Sequence, residues 1–191
     1  REGYAAAFTE RRVLNAIKAG IHQRIAVALI EWSGPETRSV VVDWTLIDGE
    51  VSARRFSAAI RNAPPTKGVT TSISQAIEFA LPMFNENRFL GIRRVIDISG
   101  DGVNNIGGLV TVARDKAVAA GVTINGLPIT DSWPNPNDPF AVPDLDKYYA
   151  GCVIGGPGAF FVEALSFKDF ASAVRRKLIL EIAGTLPAHN P

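Results

Sequence analysis

Residues 3 to 19 place Tyr4, Phe8, Leu14 and Ile17 mostly three to four positions apart, and Gly20 stands where a left-handed cap would close the segment. This spacing predicts one helix at the start of the chain. Two short apolar runs follow, RIAVALIEWS at 24–33 and a Val-rich stretch from Arg38 to Ile47, separated by Gly34 and Pro35. They read as two strands joined by a tight turn. Helical spacing returns in Val51 to Ala63, with Phe56, Ala59 and Ile60 on one side, and Pro64 with Pro65 ends the segment.

Ser72 to Asn85 gathers Ile73, Ile77, Ala80, Leu81 and Phe84 on one stripe. Thr71 or Ser72 is suited to cap the start of this helix, and Pro82 to kink or shorten it. Arg93 to Ser99 (RRVIDIS) reads as a strand, Leu109 to Ala120 as a helix stopped by Gly121, and Val122 to Leu127 as another strand. Strand and helix now alternate, which points to a mostly parallel sheet with helices on both faces, a three-layer doubly wound α/β fold.

From Pro128 to Gly158 the pattern breaks. Six prolines, at 128, 134, 136, 139, 143 and 157, and an aromatic pair, Tyr148 and Tyr149, occupy a segment too long for an ordinary connection. Ala159 to Val162 reads as a short last strand. The final helix begins at a capping-box-like pair, Ser166 and Asp169, and repeats Phe167, Phe170, Val174, Leu178 and Ile182 at three to four. Residues 1–184 are expected to form one domain, with 185–191 a tail.

The 191 residues are enough for one domain with a real core, and 47% hydrophobic with 20% charged residues is ordinary globular composition. A net charge of +1 without a Lys or Arg stripe excludes nucleic acid as an expected partner. No stretch approaches the roughly 18 consecutive apolar residues of a membrane span. Cys152 is the lone cysteine, so it reads as structural and buried rather than as a disulfide, redox or zinc residue.

Chemistry concentrates in two loops. The strand ending at Ser99 runs into Gly100-Asp101-Gly102-Val103-Asn104-Asn105, which places a carboxylate at the C-terminal end of a central parallel strand, where open α/β sheets bind ligands. Gly68-Val69-Thr70-Thr71-Ser72-Ile73 is a hydroxyl-rich turn that opens a helix. Together they offer hard oxygen ligands of the kind Mg²⁺ takes. Read singly, Asp101 is an acidic group near a helix start and Thr71 a plain N-cap. Glycines 100, 102 and 107 match neither the dinucleotide nor the P-loop pattern, no G-x-S-x-G elbow is present, and His22 and His189 fall in a turn and a tail. Asp144 and Asp146 read as a solvated acidic loop.

At these two loops the chain resembles the von Willebrand factor A-type (VWA) family. The metal-ion-dependent adhesion site of that family joins a D-x-S-x-S segment after the first strand, a Thr in a G-G-T-like turn and an Asp in a T-D-G-like turn. Thr71 matches the Thr and Asp101 the Asp, with Gly100 standing where the family usually has Thr. The order of elements also fits from the first helix onward. The run from REGYAAAF to KLILEIA resembles an uncharacterised bacterial family of exported VWA-like proteins. No D-x-S-x-S occurs in the chain. The resemblance would place it, a short strand and a signal peptide before Arg1, hence a periplasmic or secreted protein.

The resemblance implies a protein-binding module, not an enzyme, in which Mg²⁺ held by Thr71 and Asp101 accepts a carboxylate from a protein partner. Two of three metal-binding loops are present, so metal binding by this chain is expected to be impaired. The long segment would frame the ligand face, with Trp133, Phe140, Tyr148 and Tyr149 either as contacts or packed down on the loop itself. The alternatives are a metal-independent structural or assembly subunit of an envelope complex and, less favoured, an enzyme using Asp101 as a metal-bound or nucleophilic carboxylate. The resemblance also implies that a central strand is missing between residues 24–33 and 93–99. An open slot is expected there, filled by a preceding segment or by a strand lent by a neighbour.

Overall fold

The structure, a computed structural model, describes residues 1–64, 66, 68–130 and 143–184. The chain opens with two helices, α1 (Glu2–Thr9) and α2 (Arg11–Ala19), instead of the single helix expected. Glu10 separates them with extended backbone (φ −69°, ψ 134°) and accepts from Leu14 N at 3.0 Å, so it closes one helix and starts the next. The break aims Ala5 and Phe8 at α3 (Glu50–Asn62), where the Phe8 and Phe56 rings meet edge to face at 4.9 Å and buried Ser57 donates to Ala5 O at 2.7 Å. Val13 and Ile17 of α2 are buried in the same cluster.

Strands β1 (Ile25–Trp32) and β2 (Arg38–Ile47) form an antiparallel pair with Ile25 opposite Ile47 and Trp32 opposite Arg38, with irregular register between Val27 and Ile30. Strands β3 (Arg94–Gly100) and β4 (Val122–Pro128) pair in parallel from Arg94 opposite Val122 to Gly100 opposite Pro128. Residues 160–164 continue this half. Gly126 N donates to Phe160 O at 3.0 Å, Val162 N to Gly126 O at 3.1 Å and Ala164 N to Pro128 O at 2.9 Å, parallel to β4. The expected last strand is therefore a set of isolated bridges.

Side chains of β1 alternate between two buried clusters. Ile25, Val27 and Leu29 pack with α1, α2, α3 and α7 (Phe170–Ala183), whereas Ile30 and Trp32 pack with α4 (Ile73–Met83) and α5 (Val110–Ala119). Helices thus cover both faces of the strands, and the fold is α/β. The sheet itself is in two halves. Among the described residues no ladder joins β1 to β3, which are the two strands expected to flank a slot. All eight residues of β1 are only half-buried although both faces are covered, as befits a strand with an open edge.

Side chains and single main-chain bonds span the two halves. Tyr4 of α1 hydrogen-bonds Ser99 of β3 (Oη to Oγ, 2.6 Å), and desolvation pushes its phenol up to about 12. Ser72 N donates to Ser33 O at 2.8 Å. Lys177 of α7, 2% exposed, pairs with Asp97 of β3 and with Glu181 one turn on, its ammonium 5.6 Å from the Phe160 ring centroid. Desolvation pulls the Lys177 ammonium below its ordinary pKa, opposed by Glu181.

One helix end is as expected and another is not. Pro82 shortens α4, which stops at Met83, where Trp44 Nε1 (3.2 Å) and Asn87 Nδ2 (2.7 Å) take up the Met83 carbonyl. Ser166 and Asp169 do bond reciprocally, at 2.9 and 3.2 Å, but α7 starts only at Phe170 with Asp169 as its N-cap. Phe167 consequently lies in the preceding turn, 60% exposed.

Removing the Lys177 ammonium leaves Asp97 and Glu181 facing each other without a cation. Lys177→Ala is expected to cost about 3 kcal/mol in urea unfolding; a loss under about 1 kcal/mol would show that the ammonium does not hold α7 to β3.

Candidate functional site

Because β3 and β4 are parallel, Gly100 and Pro128 bring two loops to one end of the sheet, and Ile129 N donates to Gly100 O at 2.9 Å across them. Asp101 follows directly. It is exposed, and among the described residues its carboxylate has no ion pair or hydrogen bond. The loop before α4 reaches the same place. Thr71 N donates to Asn105 Oδ1 at 2.9 Å and Thr71 O accepts from Asn105 N at 2.9 Å, so the two loops are clasped by one side-chain and one main-chain bond of Asn105. The Thr71 hydroxyl points at the Asp101-Gly102 turn, 3.5 Å from where a Gly102 Cβ would stand, and makes no hydrogen bond among the described residues.

The expected cap of α4 is not made by its own residues. Ser72 is the N-cap position, but its hydroxyl donates to Ile106 O at 2.9 Å and no side chain of the loop caps the helix. Asn104, from the other loop, supplies the cap: its Oδ1 accepts from Ser74 N at 3.0 Å. Close approach requires Gly107, whose φ of +90° suits glycine and where a Cβ would come within 2.7 Å of Ser72 Oγ.

The described part of the long segment begins at this end, where Tyr148 meets Asn104, and then leaves it: Gly155 pairs with Ile124 and Thr123 Oγ1 donates to Pro157 O at 3.3 Å toward the opposite end of β4, so only the first described residues of the segment frame the expected ligand face. The segment contains a helical turn, α6 (Leu145–Tyr148), and then a π-helical turn at Tyr149–Val153 closed by Ile154 N to Tyr149 O at 3.0 Å. Sequence pattern predicted only loop here. Tyr148, half-buried, accepts from Asn104 N at 3.2 Å. Tyr149 is fully buried in the core, so it packs down rather than facing a partner. Its hydroxyl lies 3.0 Å from where a Gly100 Cβ would be and has no hydrogen-bond partner. Desolvation and then the Asp101 charge raise its pKa. Trp133 and Phe140 lie outside the described residues.

Other sequence candidates find structural roles or none. Asp144 adopts left-handed backbone (φ 57°) as the N-cap position of α6 and pairs with Lys147 at 2.9 Å. Cys152 is half-buried and free, not fully buried as expected. His22 is exposed in a turn, and His189 lies outside the described residues. The residues that sequence reasoning missed are Asn104 and Asn105; the Asn pair behind Asp101-Gly102 was the available signal.

Among the described residues no three His, Cys, Asp or Glu side chains cluster as a metal site. The donors at this place among the described residues are the Asp101 carboxylate and the Thr71 hydroxyl, neither bonded to another described residue. Neither would give up an existing bond to an ion. This set fits a hard, largely hydrated cation such as Mg²⁺ and does not fit zinc.

The family described as "Protein of unknown function (DUF1194)" matches residues 1–186. No curated protein matches the chain. Three solved structures share its fold. Proximal thread matrix protein 1 from the mussel byssus is 15% identical with a TM-score of 0.58, over 96% of this chain and 43% of its own. This chain therefore spans less than half of that protein. The conserved hypothetical protein BatB from Bacteroides thetaiotaomicron is 15% identical (TM-score 0.52; 95% of this chain, 87% of its own). An aerotolerance-related membrane protein from Bacteroides fragilis is 16% identical (TM-score 0.53; 94% and 88%). At these identities the likeness is one of fold. No described helix is long and apolar enough to cross a membrane.

If Thr71 and Asp101 serve a ligand and not the fold, removing their oxygens leaves stability unchanged. Thr71→Val and Asp101→Asn are each expected within about 0.5 kcal/mol of wild type by denaturant unfolding. A loss near 1 kcal/mol, the size of a helix cap, would make them structural. Tyr149→Phe deletes an unpaired buried hydroxyl and is expected to be neutral or stabilising by up to about 1 kcal/mol.

Proposed function

The chain belongs to the DUF1194 family of proteins of unknown function, and on that premise we propose that it is a VWA-like protein-binding module whose ligand face is the C-terminal edge of the sheet. One observation carries this reading. Asp101, exposed and without a partner among the described residues, stands in a turn that the unbonded Thr71 hydroxyl faces, on two loops clasped by paired hydrogen bonds. A structural carboxylate is normally paired or capping; this one is neither among the described residues.

Thr71 and Asp101 would hold a divalent cation, Mg²⁺ being the ion their oxygen chemistry suits, and its charge would accept a carboxylate from the partner protein. The chain's own contribution is positional. The clasp between Thr71 and Asn105 keeps hydroxyl and carboxylate on one side of the sheet end. With two protein ligands the ion is held weakly. The sequence resemblance to exported VWA-like proteins supports a periplasmic or secreted setting. An enzyme is the less favoured reading, because no general base or second carboxylate bonds to Asp101 among the described residues.

A metal-independent assembly role is favoured by a different observation, the edges of β1 and β3 that pair with no strand among the described residues and are suited to strand addition. Calorimetric titration with Mg²⁺ and Mn²⁺ separates the readings. One weak site, with a Kd of about 10⁻⁴ to 10⁻³ M, is expected in the wild type and is expected to vanish in Asp101→Ala. Equal affinity in the variant would move the ion elsewhere, and absence of binding in the wild type would leave the assembly role.

A further inference from the structure

We infer that Asn104 is the positioning residue of this edge, the joint that sets where the Asp101 turn stands relative to Thr71; the inference rests on the binding reading of that edge. Its amide is used at both ends. Oδ1 accepts from Ser74 N at 3.0 Å, and Nδ2 donates to Ile106 O at 3.2 Å and Gly108 O at 3.0 Å. Its main-chain N donates to Tyr148 Oη at 3.2 Å. One half-buried residue therefore ties its own loop, the first turn of α4 and the helical turn of the long segment together.

The cap is the decisive bond. A helix start leaves N–H groups that need acceptors, and α4 has no side-chain cap from its own loop because the Ser72 hydroxyl is committed to Ile106 O. Asn104 meets that need from across the site, so the α4 start and the Asp101 turn cannot separate without leaving Ser74 N unpaired. Asn105 is clasped differently. One of its two bonds to Thr71 is main chain to main chain and survives substitution, whereas three of the four Asn104 bonds are made by its side chain. Aspartate at 104 would keep the acceptor and lose both donors, which leaves the α4 cap but frees the Gly108 carbonyl and leaves Ile106 O to the Ser72 hydroxyl alone.

The test compares Asn104→Ala, Asn104→Asp and a remote cap variant, Ser52→Ala, which removes the hydroxyl that accepts from Gly49 N at 3.2 Å at the start of α3. Mn²⁺ affinity is read by water-proton relaxation and amide exchange by mass spectrometry. In Asn104→Ala, Mn²⁺ affinity is expected to fall roughly tenfold, the usual effect of losing an outer partner of a metal ligand. Exchange at both Thr71 and Ser74 should rise. Asn104→Asp should restore protection at Ser74 but not full affinity, and Ser52→Ala should lower the melting temperature without changing either readout. A melting-temperature loss in Asn104→Ala with unchanged Mn²⁺ affinity and unchanged exchange at Thr71 would overturn the inference. If the wild type binds no Mn²⁺, the metal reading fails separately. The exchange comparison then decides alone: protection lost at Thr71 in Asn104→Ala but not in Ser52→Ala supports the joint, and protection retained there refutes it.

Discussion

Two strand edges that do not pair with each other govern this molecule. Among the described residues β1 and β3 each carry a ladder on one side only, so the hydrogen-bonded sheet that would normally bind the halves of an α/β domain is interrupted between them. Packing and side-chain bonds carry the junction instead. β1 sends alternate side chains into the two buried clusters, Tyr4 reaches Ser99, and Lys177 on α7 lies against Asp97 in the middle of β3. An ammonium 2% exposed is tolerated there because two carboxylates and an aromatic face surround it.

The same constraint shapes the candidate site. Cross-links between the halves gather toward the C-terminal end of β3, where Ser33 O receives Ser72 N, the Ser33 hydroxyl donates to Thr70 O, and Trp32 approaches Gly100. The Thr71 loop is thereby bonded to β1 on one side and to the Asp101 turn, through Asn104 and Asn105, on the other. A carboxylate and a hydroxyl that make no bonds to other described residues sit on loops whose main chains are bonded to their neighbours. Rigid backbone with free side-chain oxygens is the arrangement a binding edge needs, because little ordering remains to be done when a ligand arrives.

Much of this was legible in the residues. Alternating apolar runs located all four strands within a residue or two, and the Asp101 and Thr71 loops stood out because a carboxylate ends a parallel strand and hydroxyls open a helix. What escaped depends on contacts distant in sequence. The break at Glu10 follows from docking Phe8 on Phe56, which helical spacing cannot show. The start of α7 at Phe170 leaves Phe167 outside although its spacing matches the helix. The π-turn at Tyr149 hid in a proline-rich stretch that reads as loop. Asn104 escaped because a side chain capping a helix 30 residues earlier leaves no local pattern.

The claim that most needs measurement is that the free oxygens of Thr71 and Asp101 share one ligand position. Paramagnetic broadening of backbone amide resonances by substoichiometric Mn²⁺ locates a weakly held ion directly. Broadening is expected to centre on residues 70–72 and 100–103 and to fade toward the far ends of β3 and β4 near Arg94 and Val122. Broadening centred on another acidic group, or spread evenly over the surface, would contradict that claim.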